Sequence, residues 1–155
     1  MKTLITAIQS RSMHLLPTIL EMGGELHAAY HPSVPYNLKF KETVLTKHLS
    51  KRSGCIFLAR LGTVPTGYVF GFFTNDCLPN GKVFKINELY IKSEYRRSGI
   101  GTHLIFKICA WARQNGAVEI HVHYGKNSRT LGAFWKSVGF TSLSIKAVQA
   151  DEKKL

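Results

Sequence analysis

The stretch Val83-Phe84-Lys85-Ile86-Asn87-Glu88-Leu89-Tyr90-Ile91, followed after four polar residues by Arg96-Arg97-Ser98-Gly99-Ile100-Gly101, decides how this chain is read. The first run has the apolar content of a strand. Thr102 to Gln114 places Leu104, Ile105, Ile108 and Trp111-Ala112 at helical spacing, with His103, Lys107 and Gln114 on the other side. A strand, a short glycine-bearing turn and a helix leave first-turn N–H groups without partners, and the helix dipole makes that end attractive to anions. Gly99 and Gly101 would let backbone come close to a pyrophosphate without a Cβ between them.

Outward from that stretch, elements alternate in type. Thr3 to Ile8 predicts a first strand. Ser10 to Ala29 has helical character that Pro17 and Gly23-Gly24 are expected to break into pieces. His31-Pro32-Ser33-Val34-Pro35 predicts a loop, and Leu38 to Lys51 a helix with Phe40, Val44, Leu45 and His48 inward and Gly54 as its stop. Cys55 to Leu61 and Thr66 to Phe73 predict a hairpin around Gly62-Thr63-Val64-Pro65; Leu78-Pro79-Asn80-Gly81 is the next turn. Gly116 suits a left-handed helix cap, and Ala117 to Tyr124 alternates as a strand. A last helix is expected near Ser128 to Val138, and a final strand over Ile145 to Val148.

The length of 155 residues suits one domain, 1–155, with a sizeable core. Hydrophobic residues at 45% and charged residues at 19% exclude a disordered chain, and no apolar run is long enough to cross a bilayer. Lys2 and the short run Leu4 to Ile8 are too little for a secretion signal, so a cytoplasmic location without membrane contact is expected. Cys55, Cys77 and Cys109 lack CxxC spacing, which predicts buried thiols in a reducing compartment. A formal charge of +12 attracts polyanions without naming them, so contact with RNA stays open as a second reading.

The run from Glu88 to Gly101 resembles the acyl-CoA-binding segment of the GNAT superfamily of N-acyltransferases, in which a strand leads to Arg/Gln-x-x-Gly-x-Gly/Ala at a helix start. Asn127-Ser128-Arg129-Thr130-Leu131-Gly132-Ala133-Phe134-Trp135-Lys136-Ser137-Val138-Gly139-Phe140 resembles that family's later helix, which ends in an aromatic pair, three residues and Gly-Phe. The resemblance implies an α+β fold of GNAT type: a twisted, mixed, largely antiparallel sheet flanked by helices on both faces. It implies acetyl-CoA as acyl donor, no metal, and transfer to a primary amine by direct attack in a ternary complex. The acceptor stays unknown, whether small molecule, protein N-terminus or lysine, and a homodimer is frequent among the proteins it resembles. An RNA- or ribosome-directed acetyltransferase, or a CoA-binding module with little catalysis, are the alternatives.

Site residues follow from the same resemblance. Backbone around Leu89, Tyr90 and Ile91 would pair with the pantetheine arm. Arg96, Arg97, Ser98, Gly99, Ile100, Gly101 and Thr102 would hold the diphosphate. Asn127, Ser128 and Phe134 would line the same cofactor. Glu88 is the candidate general base; on a regular strand it shares a face with Phe84, Ile86 and Tyr90, an apolar setting that favours the neutral acid. A strand bulge would change that face. Many members carry a tyrosine where this chain has Trp135, and an indole is no proton donor, so Tyr124, Tyr90 or a water would have to protonate the leaving thiolate. Leu131, Phe134, Trp135 and Val138 also fit a plain packing stripe. His121 and His123 share a strand face about 7 Å apart, with no third metal ligand evident.

Overall fold

The structure is a computed structural model and describes residues 2–123 and 129–141. It divides into two units, 1–123 and 124–155. The first carries β1 (Thr3–Ala7), α1 (Leu16–Tyr30), α2 (Leu38–Ser50), β2 (Gly54–Leu61), β3 (Val64–Leu78), β4 (Gly81–Ile91), α3 (Ile100–Gln114) and β5 (Ala117–Val122). The strands form one sheet in chain order, antiparallel from β1 to β4 and parallel between β4 and β5. The change to parallel pairing follows from the crossover through α3, because parallel neighbours cannot be joined by a tight turn.

Apolar residues pack on both sheet faces. On one, Ile19, Leu20 and Met22 of α1 and Leu45 of α2 close on Ile56, Leu58, Tyr68 and Phe70. On the other, Leu104, Ile105, Ile108 and Ala112 of α3 are buried, and Trp111 lies 6.0 Å from Phe73 and 5.9 Å from Phe84 between ring centroids. This is the expected α+β arrangement, with a mixed, largely antiparallel sheet between helices.

Three local expectations need correction. Gly23 and Gly24 do not break α1, which runs unbroken from Leu16 to Tyr30; the break falls earlier, where a 3-10 helix over Ser10–Leu15 meets it. The glycines serve a close approach instead. A Cβ on Gly23 would lie 2.9 Å from the Tyr36 hydroxyl and 3.3 Å from that of Tyr68. Gly54 does not end α2: the left-handed residue is Arg52, at φ 52, and the Ser53 N–H donates back to the His48 carbonyl at 3.0 Å. Phe40 is not inward but 66% exposed. The inward stripe is Lys41, Val44, Leu45 and His48, at i, i+3, i+4 and i+7, and the lysine stands at its head.

Cys55 and Cys109 are buried as expected, but Cys77 is exposed. No helix among the described residues is long and apolar enough to cross a membrane. The second unit holds α4 (Arg129–Ser137), in which the Trp135 ring packs edge-on against Phe134 at 5.2 Å and Phe140 at 5.3 Å. The expected strand over Ile145 to Val148 lies outside the described residues.

Candidate active site

The site begins where β4 and β5 part. Their parallel pairing stops at Ile86 with Val122, while β4 continues to Ile91. The Lys92 N–H donates to the Thr66 carbonyl at 2.9 Å. Counting back by twos in an antiparallel ladder, Tyr90 turns its amide groups to β3, and Leu89 and Ile91 turn theirs to the opposite edge. Beyond Ile86 no described residue of β5 pairs with that edge. Of the three residues expected to meet a pantetheine arm, Leu89 and Ile91 turn their backbone groups to this edge, and Tyr90 turns its own to β3. The Ile91 carbonyl is partly claimed by the Arg96 side chain, whose Nε donates to it at 2.9 Å.

The turn after β4 makes the cup that the sequence suggested. Arg97, at φ 63, and Gly99, at φ 82, are both left-handed, with Ser98 between them. Alternation of this kind converges successive N–H groups on one point. The first backbone bond of α3 runs from the His103 N–H to the Gly99 carbonyl at 3.1 Å. The N–H groups of Ile100, Gly101 and Thr102 thus precede the helical ladder. Ile100 is 3% exposed and anchors the turn to the core, whereas Arg96, Arg97, Ser98 and Gly99 face outward. A Cβ on Gly99 would have no atom of the described residues within 4 Å. The Ser98 hydroxyl donates to the Tyr95 carbonyl at 2.5 Å and shapes the turn from within.

Glu88 lies on β4 at the start of the edge beyond Ile86, but its face differs from that of a regular strand. Phe70 pairs with Glu88 and Gly71 with Ile86, so Asn87 is an extra residue, a β-bulge. Phe84 and Ile86 therefore belong to the α3 side. Glu88 and Tyr90 turn towards α1 and α2, beside Tyr68, Phe70 and Phe72. Its setting is consequently less apolar than expected. Glu88 Oε2 accepts from the Tyr68 hydroxyl at 2.6 Å, and Oε1 is ion-paired with the Lys41 ammonium. The side chains of Lys41 and Glu88 are only 16% and 14% exposed.

Burial dominates the electrostatics of this corner. Loss of water around Lys41 outweighs the pull of Glu88 and brings the ammonium from its ordinary 10.5 down to about 8. Burial first, with the nearby hydroxyls of Tyr36 and Tyr90, drives the Tyr68 phenol far up, so it stays a donor to Glu88. Tyr90 donates to Glu25 of α1, and burial with that bond pushes it up to about 12. The corner thus joins two carboxylates, two phenols that keep their protons, and one amine that is half neutral near pH 8.

Sequence reading missed Lys41, Tyr68 and Glu25. Lys41 had a signal, its place at the head of the α2 stripe. Tyr68 is a core residue, and its hydroxyl also donates to Glu88. Glu25 had none, because its meeting with Tyr90 crosses from α1 to β4. Of the remaining expected residues, Thr102 is half-buried in the first turn of α3, and Phe134 lies in α4 of the second unit. Tyr124, Asn127 and Ser128 lie outside the described residues. His121 contacts Glu119 at 2.7 Å, and no group of three metal-ligating side chains occurs among the described residues.

Solved structures share this architecture. An aminoglycoside acetyltransferase from an uncultured soil metagenomic sample, in complex with sisomicin, superposes with a TM-score of 0.76 at 17% identity, covering 96% of this chain and 93% of that one. An aminoglycoside N-acetyltransferase in complex with CoA gives 0.76 at 15% identity, covering 97% and 95%. At such identities the likeness is one of fold. The family profile described as "Acetyltransferase (GNAT) family" matches residues 20–140, and the chain belongs to that family. N-acetyltransferase 8 of Homo sapiens is 27% identical over 97 residues, 63% of this chain and 43% of its own length. Aminoglycoside N(6')-acetyltransferase type 1 of Acinetobacter genomosp. 13 is 36% identical over 52 residues, 34% of this chain and 36% of its own. The matched stretches span less than half the length of these curated relatives.

Proposed function

We propose that the protein transfers an acetyl group from acetyl-CoA to a primary amine, with residues 1–155 acting as one catalytic domain. The carrying observation is the succession of three features along β4 and the turn that follows it: an amide edge that no described residue pairs beyond Ile86, a carboxylate at Glu88, and a turn from Arg97 to Thr102 whose N–H groups converge. Relatives named as N-acetyltransferases, and a family profile that runs across both units, support it.

In this reading the diphosphate of CoA sits on the α3 N-terminus, held by backbone N–H groups and the helix dipole. The pantetheine arm runs along the edge offered by Leu89 and Ile91, as an added strand would. The Leu89 N–H would polarise the thioester carbonyl, a fixed dipole that needs no reorganisation as charge develops. The acceptor amine approaches from the α1 and α2 side, where Glu88 takes its proton and Tyr68 keeps the carboxylate in place. The amine attacks directly, and CoA leaves as a thiol without an acyl-enzyme intermediate.

The acceptor is inferred to be cationic before it reacts. Glu25 and Glu88 are acidic groups on that side, Glu25 accepting from the Tyr90 hydroxyl and Glu88 from that of Tyr68. A relative named for aminoglycosides makes polyamine-like compounds the first panel to try. Thiol release on mixing protein, acetyl-CoA and an amine panel tests the reading. No release above background with any amine, at saturating acetyl-CoA, would sink it.

A further inference from the structure

We propose that Lys41 is itself an acetyl acceptor, its Nζ taking the acetyl group from acetyl-CoA in the same molecule and becoming Nε-acetyl-lysine. This rests on the site reading given above. An acceptor amine must lie against the Glu88 carboxylate, on the α1 and α2 side of β4, beside the edge where Leu89 presents its amide. Lys41 already lies against that carboxylate, on the α2 side of β4. Its ammonium is ion-paired with Glu88 Oε1 and stands 5.5 Å from the Phe70 ring centroid, while Tyr68 holds the other carboxylate oxygen. At 16% exposure its side chain is largely out of water, unlike that of a surface lysine.

The step balances without any further reactant. Glu88 takes one ammonium proton, and the neutral Nζ attacks the thioester carbonyl carbon. The new C–N bond forms as the C–S bond breaks, and the second N–H proton leaves with the thiolate as CoA thiol. The product is a neutral amide in place of a buried cation, so the cost of keeping a charge out of water is removed on that side. Acetylation would also leave the acceptor position filled, and the modified protein would turn over added amines more slowly.

The titratable groups facing Lys41 are Glu88 on β4 and, through Glu88, Tyr68 on β3; Tyr90 with Glu25 and His48 lie around them. Burial raises both tyrosines and, with Lys47 and Lys51, lowers His48, which leaves Lys41 as the amine that changes charge near pH 8. The rate of self-acetylation should therefore rise with pH and level off above about 8. An ordinary lysine would keep rising towards about 10.4.

Incubation of the full chain with acetyl-CoA alone, followed by intact-mass measurement and peptide mapping, tests the proposal. The expected result is one acetyl group, on Lys41, gained at a rate independent of protein concentration and lost in Lys41→Arg. The Gly99→Glu variant, with its cup closed, should be modified at least tenfold more slowly. Three results would overturn the proposal: equal modification in Gly99→Glu, acetyl groups spread over many lysines, or a rate proportional to protein concentration. Acetyl-CoA binding by titration in the same sample separates the remaining cases. Binding with Lys41 left unmodified removes this proposal and spares the site reading; absence of binding removes both.

Discussion

Replacing Lys41 by Met should change how stability depends on pH, with a sign that the site fixes. The ammonium of Lys41 titrates at about 8 in the folded protein, against an ordinary 10.5. Below pH 8 both folded and unfolded chains carry the proton, and the folded state bears the full cost of a dehydrated charge. Between pH 8 and 10.5 the folded protein has released the proton while the unfolded chain still holds it. The unfolded state then binds more protons, so stability rises with pH across that window. At ~1.4 kcal/mol per pH unit the full difference amounts to about 3 kcal/mol. Part of the head group still meets water, which reduces the expected gain to about 1–2 kcal/mol. The assay is urea unfolding of wild type and Lys41→Met at pH 7, 8.5 and 10. The other lysines titrate in both proteins and cancel in the difference. Wild type should gain about 1–2 kcal/mol on the variant from pH 7 to 10. A difference that stays flat, or that falls as pH rises, would refute the burial argument and with it the arrangement of α2 against β4.

Glu88→Gln should lower acyl transfer by about 10²–10⁴-fold with acetyl-CoA affinity intact, as expected when a base is lost. Tyr68→Phe removes a buried bond to that carboxylate, worth about 1.5–3 kcal/mol, and should cost about tenfold or more in turnover; turnover in Tyr68→Phe equal to wild type would show that the hydroxyl has no hold on the chemistry. Gly23→Ala ordinarily gains a helix about 1 kcal/mol; here the methyl group meets the Tyr36 hydroxyl, which donates to the Leu20 carbonyl, so a net loss of about 1 kcal/mol is expected in urea unfolding. Stabilisation by Gly23→Ala would mean that Tyr36 does not pack there. An aromatic disulfide reagent should react rapidly with the exposed Cys77 of the native protein and slowly with Cys55 and Cys109, whose thiols burial pushes up. Rapid release of more than one thiol per chain would contradict that burial pattern.

The part of the fold legible in the sequence was the part set by short-range rules. Strand, turn and helix around Arg96 to Gly101 are neighbours in sequence, so the cup follows from glycine placement and helix periodicity alone. Gly116, left-handed at φ 98, was equally readable as a helix end. What stayed hidden depended on neighbours far along the chain. The bulge at Asn87 comes from how β4 pairs with β3, and nothing in the β4 sequence announces the extra residue. Since it reverses the face of Glu88, a single residue decided whether the carboxylate met α3 or α1 and α2. Helical spacing grouped Phe40 with Val44, Leu45 and His48, yet the α2 stripe is headed by Lys41, because Glu88 supplies a partner that makes a largely buried lysine tolerable. Gly23 and Gly24 looked like helix breakers, but they are spacers for a tyrosine thirteen residues away from the first. In each case the local signal was present and a tertiary contact reversed its meaning.

Everything rests on acetyl-CoA lying with its diphosphate on the amides between Arg97 and Thr102. Isothermal titration of acetyl-CoA into wild type and into Gly99→Glu tests this most directly. The account predicts saturable binding to wild type and at least a tenfold loss in the variant, whose carboxylate would stand before the cup. Equal affinity in the two proteins, with the variant folded by circular dichroism, would contradict it.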